Sequence, residues 1–202
     1  MQTITQKTTN TRRDAYLSYL ESKRHSIGNF GVKVNWMPER AFDFQRAIIE
    51  KSVVKGRMAI FADTGLGKTL IELLIAQNIV NHTNKRVLIL TPLAVAFQFL
   101  EEAEKLGIDD IEHTKDGKFS KKIIICNYER LHYLNPQDFI CCICDESSIL
   151  KAFSGTTKKR LVDAFANTPY RLAATATPSP NDVAEIGNHA EFLGVMQSHE
   201  ML

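Results

Sequence analysis

The segment Ala62-Asp63-Thr64-Gly65-Leu66-Gly67-Lys68-Thr69 leaves the chain around it little choice of fold. It follows the apolar run MAIFA and opens the long stretch KTLIELLIAQNIV. A buried strand, a glycine turn and a helix in that order form a phosphate loop. The glycines let successive backbone N–H groups of Thr64, Gly65, Leu66 and Gly67 turn toward phosphate oxygens. The helix N-terminus adds partial positive charge. Lys68 then reaches the β- and γ-phosphates, and the Thr69 hydroxyl holds Mg²⁺. Ala62 stands where the usual pattern begins with Gly, but the core Gly65-x-Gly67-Lys68-Thr69 is intact.

The loop belongs to a rhythm. Apolar runs at 58–62, 87–91, 123–126, 139–144 and 171–175 read as strands. Amphipathic stretches at about 41–54, 68–80, 94–106, 128–133 and 157–166 read as helices. A further short helix is expected over 14–24. The strand runs lack polar alternation, so both of their faces are covered. The expected fold is α/β, a central mostly parallel sheet with helices on both faces. Its ligand site lies beyond the carboxyl ends of the strands, where the polar motifs fall.

The run FICCICDESS ends one strand in Asp145 and Glu146. In phosphate-loop NTPases a carboxylate there binds Mg²⁺ and an adjacent group orients water. Asp145 takes the metal role and Glu146 the water role. Their strand is expected to lie beside the phosphate-loop strand, so that both motifs meet at one γ-phosphate. A solvated turn capping a helix is the plainer alternative for the pair. Cys141, Cys142 and Cys144 are too close together for a zinc knuckle and read as core. His132, His189 and His199 show no ligand spacing and read as structural.

Composition narrows the partners. Lys plus Arg number 25 and Asp plus Glu 23, a net charge of +2, which excludes a bulk polycation. Local basic clusters remain at Lys121-Lys122 and Lys158-Lys159-Arg160, candidates for phosphate contact or plain solvated faces. The 44% hydrophobic content supplies a core within 202 residues. No apolar run approaches the ~20 residues that span a bilayer. The polar start MQTITQKTTNTRRD has no apolar stretch of a secretion signal, so a cytoplasmic protein with no membrane partner is expected.

A third motif, AATATPSPND at 173–182, decides the class. The order ADTGLGKT, DESS, TATP resembles motifs I, II and III of superfamily-two helicases and translocases, with DESS standing where the DEAD/DEAH proteins carry their box. FDFQRAI at 42–48 looks like the adenine-reading Q motif. ICNYERL at 125–131 looks like the I-x-N-Y-E segment of the Swi/Snf-like branch, and TPLAVAFQF at 91–99 like motif Ia. DESSILK, TATPSPND and GNHAEFLGVM resemble phage-encoded members of that branch.

The resemblance covers about 36–196 and implies a RecA-like ATP-binding domain over 36–202, preceded by an extension over 1–35. It implies ATP and Mg²⁺ as cofactors and nucleic acid as partner, with DNA expected. Gln45 would read the adenine edge. Thr175 and Thr177 would couple the nucleotide site to the nucleic-acid path. Thr91, Pro92 and Asn127 would lie near the nucleic-acid backbone. Such motors resemble two RecA-like domains facing across a cleft, the second supplying arginines. No arginine follows Arg171 here. The expectation is therefore a first domain only, working with a second in trans or having lost it, and poorly active alone. The alternatives are a nucleotide-binding module without unwinding activity and a small phosphate-loop kinase.

Overall fold

The computed structural model describes residues 31–149, 155–178 and 186–195. The expected helix at 14–24, most of the expected extension over 1–35, and His199 lie outside them. Six strands form among the described residues: β1 (Arg57–Phe61), β2 (Arg86–Thr91), β3 (Ile111–His113), β4 (Ile123–Asn127), β5 (Phe139–Cys144) and β6 (Tyr170–Thr175). Among the described residues five helices accompany them: α1 (Asp43–Lys55), α2 (Lys68–Thr83), α3 (Ala96–Leu106), α4 (Gly155–Ala164) and α5 (Ile186–Leu193). The stretch Tyr128–Tyr133, expected as an α-helix, is a 3₁₀ turn, and a second one spans Pro136–Asp138.

All strand pairs are parallel, in the order β1-β6-β5-β2-β4-β3. This order overturns one expectation. The strand of Asp145 and Glu146 does not lie beside the phosphate-loop strand, because β6 is inserted between them. Strand order in a parallel sheet follows from crossover paths, which strand patterns in the sequence do not specify.

Period-two alternation splits the central strands between two cores. Val87, Ile89, Ile125, Cys141 and Ile143 pack with Ile49, Ile71, Leu74, Ile75 and Phe99 of α1, α2 and α3. Leu88, Leu90, Ile124, Cys142 and Cys144 pack on the opposite face with Leu161, Phe165 and Phe192. The four cysteines are free and buried among these side chains. Burial pushes the Cys126 thiol up to about 11, which keeps it a small hydrophobe rather than a nucleophile.

α2 runs through the first core and is buried on nearly every side over 71–80. Asn78 on this helix is fully buried. Its Oδ1 accepts the N–H groups of Asn35 and Trp36 at 2.8 and 3.0 Å, and its Nδ2 donates to the Trp36 carbonyl at 2.8 Å. The segment across the expected boundary at 35/36 is thus tied to the core. No helix among the described residues is long and apolar enough to cross a membrane.

Candidate active site

The carboxyl ends of β1, β6, β5, β2 and β4 bring the polar motifs to one edge of the sheet. Beyond β1 the chain turns through Thr64, Gly65 and Leu66 into α2. Asp63 fixes the turn: its Oδ1 accepts the Thr64 N–H at 2.7 Å and its carbonyl the Leu66 N–H at 3.3 Å. Gly65 and Gly67 sit at φ 84° and 75°, where a side chain is strained. A Cβ on Gly67 would stand 2.6 Å from Gln45 Nε2, whereas the side-chain position at Gly65 is open.

Gln45 is buried, and its amide is engaged within the protein. Its Oε1 accepts the Phe42 N–H, and its Nε2 donates to the Leu66 carbonyl, both at 3.0 Å. The residue expected at the adenine edge therefore also braces the phosphate loop. Phe42 and Phe44 stack nearby with centroids 6.0 Å apart, and Phe42 is exposed.

Lys68 stands at the first position of α2. Its Nζ donates to the Ala62 carbonyl at 3.2 Å and lies 3.8 Å from Glu146 Oε1. Thr69 is half-buried beside it. The inserted strand β6 joins the two motifs it separates. The Thr175 carbonyl accepts the Ala62 N–H at 3.2 Å, and the Thr175 hydroxyl donates to Glu146 Oε2 at 3.4 Å. Thr177 N–H donates to Thr175 Oγ1 at 3.1 Å. Thr175 thus touches both the phosphate loop and the acidic pair. Glu146 holds φ 47°, a left-handed conformation costly for a residue with a Cβ.

Asp145 faces inward. Its Oδ2 accepts the Thr91 hydroxyl at 2.8 Å, and its carbonyl accepts the Tyr128 hydroxyl at 2.7 Å. Burial raises its carboxyl above the usual range; the Thr91 bond opposes this and the Glu146 charge adds to it. Thr91 and Asn127, expected beside nucleic acid, are both buried, and Pro92 is half-buried. Asn127 Nδ2 donates to the Thr91 carbonyl at 3.3 Å, and His113 Nε2 lies 3.1 Å from Asn127 Oδ1. Exposed Phe97 meets the His113 ring edge-on at 6.2 Å. A continuous series of contacts therefore runs from Asp145 to a surface aromatic. Of the expected basic clusters, Lys121 is exposed and Lys122 half-buried, and Lys159 is exposed on α4.

Three participants escaped the sequence reading: Asp63, His113 and Glu72. His113 sits on a strand too short to read. Glu72 did carry a signal, since it follows Lys68 by four residues and shares its helix face. It is fully buried. Burial first, then the Asp145 carboxyl beside it, raise its own carboxyl well above the usual range.

The donor set suits a small hard cation. Asp145 and Thr69 offer oxygens, and the Glu72 oxygens lack donors. No group of three His, Cys, Asp or Glu among the described residues could hold a metal by itself. Magnesium fits such a place, because it binds through one or two carboxylates, waters and substrate phosphates.

The model of the family described as type III restriction enzyme, res subunit, matches residues 38–180. No curated protein sequence matches the chain. Among solved structures the chain is similar to the UvsW helicase of bacteriophage T4, with TM-score 0.65 and 12% identity over 88% of this chain and 65% of that one. It is similar to the SWI2/SNF2 ATPase core of Sulfolobus solfataricus in complex with dsDNA, with TM-score 0.68 and 19% identity over 81% and 38%. The Hef helicase domain of Pyrococcus furiosus gives TM-score 0.61 and 20% identity over 75% and 36%. The chain spans less than two thirds of each of these structures. At these identities the likeness is one of fold: an α/β RecA-like domain of the kind found in helicases.

Proposed function

Because the chain belongs to the family of the type III restriction enzyme res subunit, we propose that it binds ATP with Mg²⁺ and hydrolyses it as the first RecA-like domain of a nucleic-acid motor. The observation that carries this reading is the convergence of Lys68, Glu146 and Thr175 at one sheet edge. Lys68 holds the β- and γ-phosphates with the loop N–H groups. Thr69 and Asp145 would hold the metal. Bound Mg²⁺ neutralises charge on the phosphate oxygens. Glu146 orients the attacking water and takes its proton at the carboxylate, which Thr175 keeps in place. Thr177 rests on Thr175, so movement of either reaches the carboxylate. Gln45 serves the adenine side while bracing the loop.

The finer assignment is to the Swi/Snf-like, phage-encoded branch. FDFQRAI and ICNYERL support it, as does the fold likeness to a SWI2/SNF2 core. The partner is then DNA, with a second RecA-like domain completing the site and the cytoplasm as its place of action. The path to DNA passes Pro92 and the exposed side chains near it.

A fluorescent ATP analogue tests the core of this reading. Lys68→Ala is expected to weaken binding about 10- to 100-fold, the worth of a charge-assisted hydrogen bond. Its circular dichroism should match the parent, since the 3.8 Å pair with Glu146 is partly exposed and contributes little to folding. Equal affinity in parent and variant would remove the phosphate-loop assignment.

A further inference from the structure

α2 carries a carboxyl in a place that offers it no donor. Glu72 is 0% exposed. Neither Oε1 nor Oε2 meets an N–H or O–H group. The surrounding helix residues Ile71, Leu73, Leu74 and Ile75 are aliphatic and fully buried. The charged groups facing Glu72 are Asp145, within hydrogen-bonding reach, then Lys68 and Glu146. A buried carboxyl set against another carboxyl is among the costliest arrangements a core can hold. Glutamine or leucine would fill the same space without that cost. A local rule broken at such cost marks a functional site.

The neighbouring Asp145 oxygens are not equivalent. Oδ2 accepts the Thr91 hydroxyl. Two Glu72 oxygens and the remaining Asp145 oxygen thus form a group of acceptors with one ammonium, Lys68, near them. A hydrated divalent cation supplies both the missing positive charge and the missing donors. Among the described residues Lys68 is the cation facing Glu72, and no side chain donates a hydrogen bond to it.

We infer that Glu72 is a positioning residue of the magnesium site, backing Asp145 from beneath so that the two carboxyls together hold the hydrated ion. This rests on the ATP–Mg²⁺ reading above and deepens it. Glu72 acts through Asp145 and the ion's waters, since the described residues contain no three-ligand metal group. Outer groups of this kind are worth ~10- to 100-fold in metal affinity.

The test measures binding of a fluorescent ATP analogue to the full chain, once in EDTA and once in Mg²⁺. Parent, Glu72→Gln and Glu72→Leu are compared, with thermal melting of each. The expected result is unchanged metal-free binding, melting at or above the parent, and a gain from Mg²⁺ reduced ~10-fold or more. A structural role would not move the magnesium gain separately from metal-free binding. Variants that melt higher and keep the parent's magnesium gain overturn the inference. Variants that no longer fold overturn it too, since the carboxyl would then be holding the fold. A parent that binds no ATP in either buffer overturns the ATP-site reading and this one with it. A parent that binds ATP without any gain from Mg²⁺ overturns the magnesium site alone.

Discussion

Glu146 spends stability on its position. At φ 47° its backbone is in the left-handed region, which costs a residue with a Cβ about 1 kcal/mol relative to glycine. The conformation aims its carboxylate at both Lys68 and Thr175. Glu146→Gly should therefore raise unfolding free energy by about 1 kcal/mol in urea titrations. The same change should abolish ATP hydrolysis while ATP binding persists. A loss of stability on this substitution would show that the side-chain contacts outweigh the backbone strain. At this scale the strand-to-helix turn through Gly65 and Gly67 was legible, because positive φ fixes residue type there. The sequence was silent where a familiar residue type does an unexpected task. Glu72 lies inside an apolar helical run, and only the fold brings Asp145 to it.

Among the elements, β3 and the loop after it show what short segments hide. Ile111–His113 has one aliphatic residue and, among the described residues, pairs only with β4, at the sheet edge. Three residues with a single apolar position give no periodicity to read. The backbone of 120–122 is nevertheless held firmly by acidic residues of this arm. Glu112 Oε1 accepts the N–H groups of Ser120 and Lys121, the latter at 2.5 Å, and Asp110 Oδ1 accepts that of Lys122 at 3.0 Å.

Burial pushes the Glu112 carboxyl up, but the Lys121 and Ser120 N–H groups together outweigh it and set its pKa below the usual value. The folded state then binds fewer protons than the unfolded chain just below pH ~4.5, so this stabilisation is present above that pH and is lost as pH falls. Urea denaturation across that window should show stability falling with pH, and Glu112→Gln should flatten part of the slope. An unchanged slope would remove Glu112 from the acid response. The strands at 87–91, 123–126, 139–144 and 171–175 were legible because both their faces are buried, which leaves nearly unbroken apolar runs.

For the molecule as a whole, the site's polar contacts are made by lysine, glutamine, aspartate, glutamate, threonine, tyrosine, asparagine and histidine. Among the described residues no arginine takes part in them. An arginine supplied to the γ-phosphate is worth ~10³–10⁵ in rate in related NTPases. If a second RecA-like domain completes the site, as proposed above, pure protein of this sequence will bind ATP but turn it over slowly, with little stimulation by DNA. Steady-state phosphate release with and without double-stranded DNA checks this. Fast, DNA-stimulated turnover would show that the chain completes its own site. The sequence by itself determined the α/β class, the phosphate loop and the order of motifs, because local burial and turn chemistry write themselves into residue type. The tertiary structure alone decided that β6 stands between β1 and β5, that Thr175 joins their motifs, and that Glu72 meets Asp145. Those contacts join residues 29 to 114 positions apart, and the crossover paths that bring them together leave no periodic trace in the chain.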